Sequence, residues 1–534
     1  MPRTALWVLS GMAVFAGGCA VGSPTDEPTP SPAAEPVGSG PGVEVSDDTV
    51  GHIDTELRRR WDAAGVRVAG RIDDEGYLRR VSLDLVGRVP TPEELDAYKA
   101  HPPEQRRELA VERLLASDEF VDYWADRTVE FLMGDAEVKV PRFEGPTREW
   151  VAASMGPGKA RWDEMVHEAL TAEGSLQESG APGFVAVQVK GGGNARLTDA
   201  VGDLFLGVQI GCAECHDHPY EAWKREDFWA LSAGFARTRV RVDRSQKPPI
   251  PRVVNTRRGE TRIETEPGGP KDKLIAPALL GEPVLVPEGT HRRDAMADAV
   301  VGSPLLAKAA AGRIWADFFG RGLEHPWNDL GGPNKRHDPI LELLAASFVA
   351  ADYDLRDLMR TVVRTEAYQR SSEGPAEGRV QAEKLFARAR VRPLTDHQLV
   401  RVLGQVTGLE DLQGRAFKQA AGGRRVAVED RVHDLFGATE EGEASEGNVP
   451  QALFLVAGRL TQPKALEQTG LVQAAVSSGD RRQRVRFLYR TIYSREPTAD
   501  ELSWATASLE GQQRAGVQDL AFAMLNSAEF LTNH

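Results

Sequence analysis

Twice in this chain a Pro-Thr pair is followed, three residues after the threonine, by glutamate and then leucine. The two strings are Pro90-Thr91-Pro92-Glu93-Glu94-Leu95 and Pro497-Thr498-Ala499-Asp500-Glu501-Leu502. A threonine N-cap with glutamate at N3 satisfies two orphan backbone N–H groups at a helix start, and Pro92 at the first helical position fits the same geometry. Each string is followed by a second echo, Leu115-Ala116-Ser117-Asp118-Glu119-Phe120 and Leu525-Asn526-Ser527-Ala528-Glu529-Phe530. Each copy reads as a capped helix, a connection and a second capped helix. Duplication of a helical hairpin and plain recurrence of capping chemistry both account for this, and two copies are too few for a solenoid.

Helical signals extend well beyond the echoes. From Arg106 to Leu132 apolar residues recur at helical spacing, among them Leu109, Val111, Leu114 and Leu115. Leu394-Thr395-Asp396-His397-Gln398-Leu399 supplies an N-cap, a glutamine at N3 and a hydrophobic staple, and Val402, Leu403 and Val406 continue that face. Between Thr238 and Pro287 the period changes. Arg237 to Val242 alternates at period two, Arg252-Val253-Val254 and Arg262-Ile263-Glu264 flank Arg257-Arg258-Gly259, and Val284-Leu285-Val286 is a further short apolar run. A β-rich segment is expected there.

The expected fold is mainly α, with two helical domains and a small β-rich insert between them. A chain of 534 residues exceeds one ordinary core. The expected boundaries are a leader at 1–19, a tether at 20–48, a first helical domain at 49–237, the insert at 238–294 and a second helical domain at 295–534. The tether is rich in Pro, Gly, Ser and Glu, as in Pro28-Thr29-Pro30-Ser31-Pro32, and cannot bury a core. The acidic stretch from Thr439 to Gly447 reads as a loop.

With 65 Lys and Arg against 79 Asp and Glu, the formal net charge is −14 and no long basic tract appears. Nucleic acid is therefore a poor partner. The start, MPRTALWVLSGMAVFAGGC, has one early arginine, an apolar run and small residues before Cys19, the pattern of an export signal. It resembles a bacterial lipoprotein signal, which implies lipidation of Cys19 and a membrane anchor facing the periplasm or cell surface. Ala16 stands where that signal usually has Leu or Val. Simple secretion is the alternative.

The other two of the chain's three cysteines stand in Cys212-Ala213-Glu214-Cys215-His216. Two thiols at this spacing can form thioethers to the two vinyl groups of one haem c, and the next histidine can ligate the iron. On a helix Cys212, Cys215 and His216 would share one face, while His218 would point away from the same iron. Two alternatives stand beside haem. A zinc site from Cys212, Cys215, His216 and His218 has the right ligand types but crowds them into seven residues. A disulfide or redox dithiol usually follows a strand, whereas Thr198 to Ile210 reads as helix. A sixth haem ligand is not legible: Met155, Met165, Met296 and Met359 each read better as core or surface.

Other constellations are weaker. Asp84 follows Arg79 and Arg80 at near-helical spacing, as a structural salt bridge would. Arg313, Trp315 and Arg321 suit stacking or anion contact, but burial of Trp315 with Phe318 and Phe319 is the simpler account. His397 reads as a surface residue. His325 and His337 flank a Pro/Gly-rich loop. Gly191-Gly192-Gly193 before Asn194-Ala195-Arg196 reads as a flexible loop or a phosphate nest. The arginines from Arg237 to Arg241 would suit haem propionates.

Arg79 to Gly87, running into Pro90-Thr91-Pro92-Glu93-Glu94, resembles the signature of a planctomycete cytochrome-type domain, domain of unknown function 1549. Leu204-Phe205-Leu206-Gly207-Val208-Gln209 and Cys212 through Pro219 resemble that domain's C-terminal motif. The second half resembles domain of unknown function 1553, in Arg313-Ile314-Trp315, Phe319 to Leu323, Tyr353-Asp354-Leu355, Ala367-Tyr368-Gln369, Arg392-Pro393-Leu394-Thr395 and Leu525 to Phe530. Gly312 replaces the usual asparagine, and His337-Asp338-Pro339 stands for Ser-His-Pro. The resemblance implies an exported protein bearing haem and supplies no reaction. The expectation is a monohaem c-type cytochrome-like lipoprotein with an unidentified redox partner, a haem-dependent oxidoreductase if it is an enzyme. The rival is a structural or interaction protein of the envelope whose Cys/His cluster holds zinc or a crosslink.

Overall fold

The computed structural model describes residues 44–534 apart from 135–140, 157, 159, 219–222, 244, 246–248, 265–268, 332–334, 409–416, 419–424, 427–465, 468 and 513. The expected leader, Cys19, most of the tether and the loop from Thr439 to Gly447 lie outside the described residues. The fold is mainly α. Its helices are α1 (Glu44–Ala64), α2 (Asp74–Val86), α3 (Pro92–Ala100), α4 (Arg106–Leu115), α5 (Asp118–Met133), α6 (Pro141–Ser154), α7 (Trp162–Thr171), α8 (Gly183–Ala200), α9 (Arg225–Phe235), α10 (Arg292–Val301), α11 (Pro304–Phe319), α12 (Pro339–Ala350), α13 (Leu355–Arg364), α14 (Arg379–Lys384) and α15 (Asp396–Thr407), followed by α16 (Gly470–Ser477), α17 (Arg481–Ile492), α18 (Ala499–Ser508), α19 (Arg514–Leu525) and α20 (Ala528–Leu531). No helix among the described residues is long and apolar enough to cross a membrane.

Caps set many of these boundaries. Thr91, Thr395 and Thr498 each form the two-way box with the residue at N3, and Asp73, Ser117, Asp354, Asp480 and Ser527 each accept a backbone N–H from the first turn. Gly87, Gly320 and Gly408 close α2, α11 and α15 in the left-handed conformation. The periodic stretch from Arg106 to Leu132 is two helices, because Ser117 caps a new start and turns the chain. Its hydroxyl donates to the Leu114 carbonyl and accepts from the Phe120 N–H. Leu109 faces solvent.

The β-rich segment is real but slight. β1 (Gly174–Ser175), β3 (Ile250–Asn255) and β2 (Thr238–Asp243) form an antiparallel sheet in that order, with Val240 opposite Val253. β4 (Thr261–Ile263) pairs with β5 (Lys273–Ile275), and β6 (Ala278–Leu279) with β7 (Glu282–Pro283). The Val284–Val286 run follows the last hairpin and is not a strand. Leu285 is 87% exposed there, so its apolar character marks no core position. Farther on, β8 (Arg392–Pro393) pairs with the terminal strand Thr532–Asn533.

Among the described residues, two large apolar cores and two small clusters hold the helices. One draws on residues from Ile53 to Ala387, including Trp162, Phe205, Trp315 and Tyr368. In it Trp315 stacks on Phe319 with ring centroids 4.2 Å apart and meets Phe386 edge-on at 5.2 Å, as the burial reading of Trp315 expects. The second core is built from residues 394–530 but is completed by Leu83 and Val89 of the early chain. The segment carrying Arg79 to Val89 is therefore packed against the last helices.

Candidate functional site

The Cys-Ala-Glu-Cys-His string is not α-helical. α8 runs to Ala200, a single π-turn spans Val201–Phe205, and the chain then extends to Ile210, with Val208 bridging Asp329. The helical reading of Thr198 to Ile210 therefore holds only for its first half. The motif itself is a one-turn 3₁₀ helix, Gly211–Glu214, followed by Cys215. In a 3₁₀ turn side chains at i and i+3 eclipse, so Cys212 and Cys215 stay on one side without an α-helical face. Both thiols are free and exposed.

The turn is fastened from beneath. Ala213 is fully buried in the larger core, and its N–H donates to the Ile210 carbonyl at 2.9 Å. The Trp229 indole donates to the Glu214 carbonyl at 3.0 Å. A Cβ at position 211 would meet the Asp199 carboxylate, so a larger residue there requires that side chain to move. After the turn, Asp217 accepts the Arg225 N–H at 2.9 Å and so holds the start of α9.

His216 is exposed, and its Nδ1 lies 2.8 Å from the Asp217 carbonyl oxygen. A carbonyl only accepts, so this contact places a proton on Nδ1, and in the neutral imidazole the lone pair is then on Nε2. That is the tautomer a metal-ligating imidazole needs, with its second nitrogen held by a backbone acceptor. Two accessible thiols three apart and an imidazole with a free Nε2 match the donor set for haem c. Among the described residues, the ligand atoms that gather within 4.8 Å belong instead to Glu130, Asp396 and His397. Glu130 already receives Arg127 at 2.8 Å, so a cation is present without a metal.

His397 corrects the sequence reading. It is not a surface residue but packs inward, 3.5 Å from Glu130. Burial would depress its pKa, yet the contact with Glu130 raises it. Met155, Met165, Met296 and Met359 are all buried in the larger core. The triple glycine is a kink inside α8, with Gly192 and Gly193 outside helical geometry and the Arg196 side chain against Gly191 and Gly192. Arg237 reaches Glu260 at 2.8 Å, and Arg239 donates to the Ala236 and Thr238 carbonyls. His337 is half-buried, and burial lowers its pKa.

A second constellation escaped the sequence reading. Asp84 does form a salt bridge, but not with Arg79 or Arg80. Its carboxylate accepts from Arg392 Nη2 at 2.9 Å on both oxygens, from the Tyr368 hydroxyl at 2.7 Å and from Asn533 Nδ2 at 2.9 Å. Arg79 instead donates to the carbonyls of Ile492, Glu529 and Phe530, and Arg80 to those of Tyr368 and Arg370. Asp84, Arg79, Arg80, Tyr368 and Asn533 are buried, and burial pushes both guanidinium groups down to about 10. Gly87, at φ 69°, lies where a Cβ would strike the Tyr123 ring. The strings Arg79–Gly87, Ala367–Gln369 and Arg392–Thr395 thus meet at one buried carboxylate. The available signal was three charges inside a run whose every other position is apolar or small, since such charges must find partners elsewhere.

Comparison with known families matches two segments of the chain. Residues 52–240 match the family described as a protein of unknown function, DUF1549, and residues 292–444 match a second one, DUF1553, in that order. No curated protein and no solved structure matches the chain.

Proposed function

We propose that this protein is an exported, lipid-anchored, c-type cytochrome-like protein of the cell envelope that carries one covalent haem on Cys212 and Cys215. One observation carries the reading: the two thiols are free and exposed on a fastened turn, beside an imidazole whose Nδ1 is tied to the Asp217 carbonyl. His216, through Nε2, would hold the haem iron. Haem, when bound, supplies one-electron redox chemistry. The protein's own part is to hold the turn rigid through Ala213 and Trp229, and to fix the His216 tautomer through Asp217. The export signal ending at Cys19 supports the localisation, because covalent haem is attached after export. Electron transfer to a partner, or haem-based redox chemistry, would follow.

The test is production in an export-competent host with haem-maturation machinery. The purified protein should show a Soret band and keep its colour through denaturation and acid–acetone extraction. Cys212→Ala with Cys215→Ala should abolish the haem mass, while His216→Ala should alter the spectrum. A colourless protein whose intact mass carries no tetrapyrrole sinks the proposal. Stoichiometric zinc in that colourless protein would support an envelope interaction protein with a metal-held turn.

A further inference from the structure

Between α5, α7, α11 and α13 lies a cavity of about 40 Å³, room for roughly three waters. Its walls come from both matched segments. α5 contributes Trp124, Arg127, Thr128 and Phe131, and α11 contributes Arg313 and Asp317, with Trp162, Leu204, Leu355 and Met359 closing the apolar side. Most of this lining is hydrocarbon, which makes the two guanidinium groups conspicuous.

Their electrostatics differ. Arg127 is held by Glu130 at 2.8 Å and lies 3.5 Å from Asp317. Burial opposes its charge, but these carboxylates hold it firmly protonated. Arg313 has no such partner. Its closest carboxylate oxygen, on Asp317, is 3.9 Å from Nε, beyond hydrogen-bond reach. Among the described residues nothing accepts a hydrogen bond from it. Its Cζ sits 3.3 Å from the centre of the Phe131 ring and 5.7 Å from that of Trp327, so aromatic faces position the fork. Its side chain keeps 23% of its surface open, and burial of the rest, only partly offset by Asp317, Glu130 and Asp203, lowers its pKa to about 10. A planar fork of five donors, held flat with no acceptor, matches a carboxylate in shape and charge.

A second observation points the same way. Trp124 lines the cavity and is 6% exposed, yet its indole N–H has no acceptor among the described residues. A buried donor left unpaired costs free energy that a ligand oxygen would recover. Thr128, one turn along the same wall, offers a hydroxyl.

We propose that this cavity binds a small monocarboxylate, with Arg313 gripping the carboxylate and the Phe131, Trp162 and Met359 wall seating a short alkyl tail. The cavity volume sets the ligand at about four or five heavy atoms, acetate or propionate ahead of butyrate, rather than an aryl acid. The two matched segments would then share one ligand at their junction. This site is independent of haem attachment.

Titration calorimetry and tryptophan fluorescence on the full chain test it, with acetate, propionate, butyrate, benzoate and chloride as probes at matched ionic strength. Saturable binding is expected for the short carboxylates and not for benzoate or chloride. Arg313→Lys keeps the charge but loses the fork, and should weaken binding about tenfold or more. Trp124→Phe should weaken it several-fold at unchanged thermal stability. No response to any short carboxylate overturns the proposal, a result read on the unaltered protein whatever the variants do. Equal binding by chloride, or full affinity in folded Arg313→Lys, overturns it as well.

Discussion

The segment from α2 to α5 and the segment from α17 to α20 build the same module from the same residues. Asp73 and Asp480 cap the leading helices. Gly87 and Ser494 then turn the chain at φ 69° and 61°. Arg88 follows one and Arg495 the other, and each guanidinium spans two glutamates in the same pattern. Arg88 meets Glu94 at 2.6 and 2.9 Å and Glu119 at 2.7 and 2.6 Å. Arg495 meets Glu501 at 2.8 Å twice and Glu529 at 2.6 and 2.8 Å. Each first glutamate is also the N3 member of a capping box, and each second one follows a serine cap. The sequence echo is therefore a structural repeat whose hinge is an arginine fork.

What differs is the leading helix. α17 buries one face, Val485, Leu488, Tyr489 and Ile492. α2 is buried at every position from Tyr77 to Val86. An enveloped helix cannot point its charges at water, so Arg79, Arg80 and Asp84 each reach distant chain. The position matching Asp84 in the second module is Thr491, whose hydroxyl has no acceptor among the described residues. Local chemistry thus repeats faithfully, while the buried charge network belongs to the first copy; the second reaches distant chain from its partly exposed side, where Arg490 donates to the Pro92 carbonyl at 2.8 Å.

The sharpest way to break this contrast is at that pair of positions. Asp84→Ala should cost about 3–5 kcal/mol, because it strands the buried Arg392 guanidinium. Thr491→Ala should cost under about 1 kcal/mol, as it removes an unpaired hydroxyl. Urea melts of both variants measure the difference. Comparable losses would mean that the two leading helices carry similar loads and that the stitching at Asp84 is dispensable.

The same contrast explains what was legible from the sequence. Thr91, Thr395 and the Ser117 and Ser527 echoes were readable because a cap and its N–H lie three residues apart. The arginine alternation of β2 was readable for the same reason, since period two is local. The partner of Asp84 was not, because Arg392 is 308 residues away and the nearer Arg79 and Arg80 offered a plausible local pairing. His397 was misread likewise: its cap context is local, but its neighbour Glu130 lies on another helix. At the candidate site the donor types were legible, but the 3₁₀ turn and the His216 tautomer were not. The turn depends on Asp199 and Trp229, which packing brings in from α8 and α9, and the tautomer depends on the direction in which the turn leaves the neighbouring Asp217 carbonyl.

The forks give the next effect. Burial opposes ionisation of Glu94, but Arg88 and the Thr91 N–H prevail and hold its pKa down to about 2; Arg495 leads in doing the same to Glu501. Each group is held below the ordinary glutamate value, so the folded state binds fewer protons than the unfolded one. The stabilisation is complete above about pH 4.5 and is lost as pH falls through about 2. Arg88→Ala should cost on the order of 2 kcal/mol at pH 7, and Arg495→Ala less, since its fork is more open to solvent. Melts repeated at pH 2.5 should show both penalties shrinking. Penalties independent of pH would mean the arginines act through packing alone.

The smallest effect inverts the order of the two copies. Ser117 and Ser527 make matching contacts, each donating to a carbonyl at 2.7 Å and accepting a backbone N–H at 3.2 Å. Loss of such a cap costs about 1 kcal/mol. Ser527 alone receives a further hydrogen bond, from the Tyr493 hydroxyl at 2.9 Å. Ser527→Ala should therefore destabilise by a few tenths of a kcal/mol more than Ser117→Ala, a margin set by one partly buried hydrogen bond. A cycle with Tyr493→Phe isolates that margin: once the tyrosine hydroxyl is gone, the two serine substitutions should cost the same. A gap that survives its removal would place the asymmetry in the helices themselves, against a module that repeats to the level of single hydrogen bonds.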